Sequence, residues 1–165
     1  MSGDTFVAVR IQGGLLPADL PSQLASGHDP HGDTLSPKDY QLAAGETVRD
    51  AANRVWAYLL GVWSGYHDAL AKLPAGAPTT ALTRDRFLLI VLDQLGYGRV
   101  PTTGKGGLEV DGQSFPISHV WGATPIHLLG AGTPLDTRSK GVAGAAGSSP
   151  QSMVQELLNR SDDHL

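Results

Sequence analysis

The sequence predicts an α/β fold of the α+β type, in which long helices pack on a small sheet. Three observations predict it. Over residues 42–73, Val48, Ala52, Val55, Leu59, Trp63, Tyr66 and Leu70 recur in steps of three and four, the period of an amphipathic helix. Further on, Asp111-Gly112 separates two short runs, the strongest two-residue hairpin signal. It leads into an apolar stretch, 115–132, in which Pro116 and Pro125 each open a short run; a proline without an N–H is tolerated at the first residue of a strand. Helices over 84–95 and 151–160 flank this strand-rich region.

The chain has 165 residues, of which 41% are hydrophobic, and carries a formal charge of −4. That length suits one domain, with or without an N-terminal extension. No apolar run reaches the 18 or so residues that a bilayer span needs. The start, Met1-Ser-Gly-Asp-Thr5, lacks the basic and apolar regions of a signal peptide. The absence of cysteine excludes disulfides and thiolate metal sites and fits a reducing cytoplasm. A pI near 5.8 argues against a dedicated nucleic-acid module, because neutralising phosphates takes clustered Lys and Arg.

Element by element, residues 6–11 read as a short strand or extended arm ending at Gly13-Gly14, and 15–24 as one or two helical turns weakened by Pro21. His28 and His31, with Asp29 and Asp33, lie on a Gly/Pro loop and read as solvated rather than metal-binding, since a metal site needs oriented ligands. In the helix over 42–73, Gly45, Gly61 and Gly65 each cost about 1 kcal/mol relative to alanine, so packing must hold it. Trp56, Trp63 and Tyr66 read as core rather than as a base-stacking platform. Residues 74–80 form a linker. Thr83 is the expected N-cap and Gly96 the C′ residue of a helix buried on most sides over 87–92.

The Gly104-Lys105 pair lacks the spacing of a phosphate-binding loop. Residues 133–149 are expected to be irregular and mobile or functional. Ser149 and Pro150 start the last helix, whose apolar face is Met153, Val154, Leu157 and Leu158. Asp162 and Asp163 oppose the macrodipole at its end, so the chain is expected to continue past Leu165. Ser118 and His119 read as unfit for a hydrolase dyad, because neighbouring strand residues point to opposite faces. His119 and His127 are expected to be partly buried hydrogen-bonding groups. Arg99, Lys105, Arg138 and Lys140 are the candidate nucleic-acid contacts.

The order helix, hairpin, strand, helix resembles the core of the PD-(D/E)xK nuclease fold. That resemblance implies an acid on the hairpin and a Glu-x-Lys ending the next strand, where carboxylates hold a divalent metal. Here Pro125-Ile-His-Leu-Leu129 runs into Gly130-Ala-Gly132, so the core is expected to be degenerate, without catalytic or metal-binding residues. Asp111 and Asp136, the nearest acids, read as turn residues. Gln155 resembles the glutamine of a Gln-x-x-x-Tyr helix, with Asn159 in place of the tyrosine.

The strings Gly13-Gly-Leu-Leu-Pro-Ala-Asp-Leu20, Leu95-Gly-Tyr-Gly98, Phe115-Pro-Ile-Ser-His119, Pro125-Ile-His-Leu-Leu-Gly130 and Val154-Gln-Glu-Leu-Leu-Asn-Arg-Ser-Asp-Asp-His-Leu165 together resemble the N-terminal region of large bacterial adenine-specific DNA methyltransferases. These are type IIG restriction-modification-like proteins, including the methylase of DISARM phage-defence systems. The resemblance spans most of the chain. It implies an extension over 1–80, a nuclease-like core over 81–165, DNA and other subunits of a defence complex as partners, and S-adenosylmethionine as cofactor of the parent protein. Neither a glycine-rich S-adenosylmethionine loop nor an Asn/Asp-Pro-Pro-Tyr/Phe motif occurs in this sequence. The segment is therefore expected to position DNA or a partner. The alternative is an active metal-dependent nuclease recruiting Glu109, Asp111 or Asp136.

Overall fold

The computed structural model describes residues 17–26 and 36–161. The expected arm at 6–11 and the His28/His31 loop lie outside them. The chain divides into two compact units, the division falling between Ala57 and Tyr58.

In the first unit, α1 (Leu20–Ala25) precedes the start of α2 (Val48–Ala71). The helix α2 begins at Val48 rather than near 42 because a capping box forms there. The Thr47 hydroxyl accepts from Asp50 N–H at 3.1 Å, and the Asp50 carboxylate accepts from Thr47 N–H at 3.2 Å. The Thr47 hydroxyl, 2.6 Å from Asp50 Oδ2, and then the Thr47 N–H hold the Asp50 carboxyl below its usual range. Upstream, Gly45 turns the chain at φ +85°, a conformation glycine adopts without steric penalty.

In the second unit, α2 runs to Ala71 and buries Tyr66, which is 4% exposed. The expected core stripe is only partly a core: Trp63 is 45% exposed and Leu60 50%, as is Trp56, in the first unit, at 64%. Periodicity correctly identifies the apolar face of α2, but much of that face has no packing partner among the described residues. Tyr66 stacks on Phe87 with ring centroids 5.2 Å apart at 15°, worth about 0.5–1.5 kcal/mol beyond the area buried.

Phe87 belongs to a composite helix over 80–97. It starts as α-helix at Thr80–Thr83, widens to π-helix at Arg84–Leu88, returns to α-helix at Leu89–Leu92 and widens again at Asp93–Tyr97. Thr83 is not its N-cap. The helix begins a turn earlier, and the Thr83 hydroxyl is buried in a tertiary role, 3.1 Å from the Tyr66 hydroxyl and accepting from Ala131 N–H at 3.1 Å. Residues 87–92 are half-buried rather than enclosed, since the unit has too few elements to surround them. Gly96, at φ +88°, ends the helix as expected.

The hairpin β1 (Leu108–Val110) and β2 (Gln113–Phe115) pairs Leu108 with Phe115. Asp111 and Gly112 both have positive φ, 50° and 73°, the signature of a type I′ turn. A second hairpin, β3 (His119–Trp121) and β4 (Thr124–Ile126), pairs His119 with Ile126. The strand expected over 117–121 is thus shorter, and the one expected over 126–129 lies earlier, sharing only Ile126 with that run. Pro125 sits in mid-strand opposite Val120, where its missing N–H leaves no ladder bond unfilled. The hairpins form two separate two-stranded sheets rather than one small sheet. A helix-plus-antiparallel-sheet composition is what the α+β expectation required.

The core joins Phe115 and Ile117 to Met153 and Leu157 of the last helix, Pro150–Arg160. Ser149 caps that helix in extended conformation, accepting from Ser152 N–H at 3.2 Å. Residues 133–149 fold on themselves: Ser139 N–H donates to Ala145 O at 2.9 Å, and Ala145 is 1% exposed.

Candidate functional site

A cleft of about 630 Å³ opens between the composite helix and the segment leading to β3. Such a volume is typical of small-molecule sites. Arg84, Asp85 and Asp93 border it from the helix, Arg99 and Thr102 from the connecting segment, and His119 from β3. Arg84 and Asp93 each open a π-helical turn, a winding that often marks functional positions. Thr102 bridges to His119 in antiparallel fashion, which brings the connecting segment to the start of β3.

His119 is 2% exposed. Its Nδ1 lies 2.8 Å from Ser118 Oγ, which corrects the expectation that these neighbours point apart. Ser118 precedes β3 and is free of the pleat that would alternate the two side chains. Even so, Ser118 is placed as a structural clamp. Its Oγ accepts from Leu128 N–H at 2.8 Å and lies 3.3 Å from Ile126 O, so it ties β3 to the chain beyond β4. An activated nucleophile needs a base that is itself oriented by a third group, and His119 Nε2 has no hydrogen-bond partner among the described residues.

The electrostatics follow from burial. His119 is pushed below its ordinary value chiefly by desolvation, with the nearby Arg84 acting in the same direction and Asp85 against it. Asp85 is lowered and Arg84 raised by their mutual fork, Nε to Oδ1 at 2.7 Å and Nη2 to Oδ2 at 3.1 Å. This pair is largely exposed, which limits its worth to about 0–1 kcal/mol.

His127 is a partly buried hydrogen-bonding residue, as expected. Its Nε2 donates to Gly144 O at 3.0 Å, which leaves Nδ1 the unprotonated nitrogen, buried and without a partner among the described residues. Burial lowers its pKa as well. A histidine depressed in the fold contributes stability that is complete above its unfolded value of 6.5 and is lost as pH falls through the folded value. The urea midpoint is therefore expected to fall between about pH 7.5 and about pH 5.5, and His127→Gln to reduce that dependence. A midpoint constant over this range would contradict the burial of both imidazoles.

The four candidate nucleic-acid contacts do not converge on the cleft, where only Arg99 is found. Lys105 is exposed in the 104–107 turn and Lys140 in the 133–149 loop. Arg138 Nε donates to Ala146 O at 2.7 Å, a bond that shapes its own loop. Arg84, Asp85 and Asp93 escaped the sequence reading because nothing local signals that their helix turns meet His119.

At the position where a nuclease of the resembled fold would place its Glu-x-Lys, Gly130 is buried against the start of the composite helix. A Cβ built on it would overlap Thr79 Oγ1 and lie 2.8 Å from Thr80 N. Thr79 Oγ1 donates to Ala131 O at 3.0 Å in the same contact. Any side chain at position 130 would have to displace Thr79 or the start of the helix. Asp111 and Asp136 are exposed turn and loop residues. Among the described residues, no three His, Asp or Glu gather as a metal site. None of the described helices is long and apolar enough to cross a membrane.

Comparison with protein-family models, with curated proteins and with solved structures finds no match to this chain.

Proposed function

We propose that this chain is a non-catalytic accessory module of an adenine-specific DNA methyltransferase of the restriction-modification or phage-defence kind, serving to position DNA or a partner subunit, on a degenerate nuclease-like core. The observation that carries the non-catalytic part is Gly130, whose contact with Thr79 and Thr80 leaves no room for the acid of a Glu-x-Lys. The methyltransferase context rests on the resemblance of strings such as Leu95-Gly-Tyr-Gly98 and Phe115-Pro-Ile-Ser-His119. S-adenosylmethionine belongs to the parent protein in this reading, and cytoplasmic DNA is the substrate it would meet.

The test is on the purified chain with duplex DNA. Negligible methyl transfer from S-adenosylmethionine is expected. Weak DNA binding is expected through Arg99, Lys105, Arg138 and Lys140, and four phosphate contacts lose at most about 150-fold in affinity between about 50 and about 200 mM salt. DNA cleavage with Mg²⁺ or Mn²⁺ that disappears in Asp111→Ala would instead establish the nuclease alternative.

A further inference from the structure

The cleft beside His119 holds a pattern of charge that contacts within the chain leave unused. Arg84 and Asp85 neutralise each other through their fork. Asp93 and Arg99 border the same cleft, yet no ion pair joins them. Among the described residues, the Asp93 carboxylate accepts only the Gln94 side-chain amide, at 3.3 Å, and the Arg99 guanidinium has no acceptor. Two opposite charges on one cleft, unjoined, are the complement of a ligand that carries both signs.

The remaining lining narrows the class. An inorganic phosphate would meet two carboxylates, and a simple cation two guanidinium groups, so a ligand of a single sign is disfavoured by its own neighbours. Leu89, Val100 and Pro101 give the cleft an apolar wall. His119 adds a buried polar group whose Nε2 is free to bond a ligand, its Nδ1 being held by Ser118.

We propose that this cleft binds a free α-amino acid with an apolar side chain, its carboxylate on Arg99, its ammonium on Asp93 and its side chain against Leu89, Val100 and Pro101. A planar guanidinium forks onto a carboxylate with two parallel hydrogen bonds, which fixes the ligand's orientation as well as holding it. This inference is independent of the methyltransferase reading.

Titrating the full chain with L-phenylalanine and L-leucine, followed by ¹⁵N and side-chain NMR shifts, tests it. The amino-blocked N-acetyl-L-phenylalanine, the carboxyl-blocked L-phenylalaninamide and inorganic phosphate serve as comparators. Saturable binding of at least one free amino acid is expected at about 1 mM or tighter, with shifts at Arg99 and the His119 ring. Each blocked analogue, and each of Arg99→Gln and Asp93→Asn, is expected to weaken it by about tenfold or more. Both replaced residues are exposed, so the fold is retained. Absence of saturation by both amino acids, equal binding of a blocked analogue, or tighter binding of phosphate would each overturn the proposal.

Discussion

Gly107→Ala is expected to destabilise the second unit by about 2–5 kcal/mol, the sum of a left-handed backbone forced on an L-residue and of overpacking. Gly107 has φ +75°, and a Cβ there would overlap the Phe115 carbonyl oxygen and lie 2.7 Å from its carbon and 2.9 Å from Pro116 Cα. These are backbone atoms, so relief requires the 104–107 turn to move away from the end of β2, which disturbs the adjoining Leu108–Phe115 pairing. Gly106→Ala is the control one position away, with open space around its Cβ and no positive φ, and is expected to cost less than about 1 kcal/mol. Urea unfolding of the two variants checks the pair. Equal midpoints would refute the close approach of the 104–107 turn to Phe115.

Leu157→Ala is the second large effect, expected to cost about 2–5 kcal/mol. Leu157 is 2% exposed and packs with Phe115, Ile117 and Met153. Marginal stabilities are on the order of 5–15 kcal/mol, and a four-residue cluster has few neighbours able to collapse into the space left behind. The adjacent Leu158, 36% exposed, should lose less than about 1 kcal/mol on the same change. Thermal unfolding followed by circular dichroism distinguishes the two. A Leu158 loss as large as that of Leu157 would mean the last helix docks by a different face.

Local chemistry made some of this legible in the sequence. Asp111-Gly112 tolerates the paired positive φ values of a tight hairpin, and the turn is there. Ser149-Pro150 announces a capped helix start, and the cap is made by the Ser149 hydroxyl. Met153 and Leu157, four apart, share the buried face. The same logic makes Thr83 a cap, but its hydroxyl finds partners in Tyr66 and Ala131, far along the chain, that no local rule encodes. The stripe on α2 gave the direction of an apolar face without saying how much of it would be covered, hence the half-exposed Trp63. The cleft was the least legible part. Arg84, Asp85 and His119 are ordinary residues until a π-helical turn and the bridge from Thr102 to His119 bring them to one place.

The brevity of the strands bears on how the protein survives at high concentration. Each ribbon is three residues long, and one side of β3 is already occupied by Thr102. A foreign strand laid along any remaining edge would gain only a couple of backbone bonds before reaching a turn, too few to hold it. Edge-to-edge pairing through the described strands is thereby discouraged by their length.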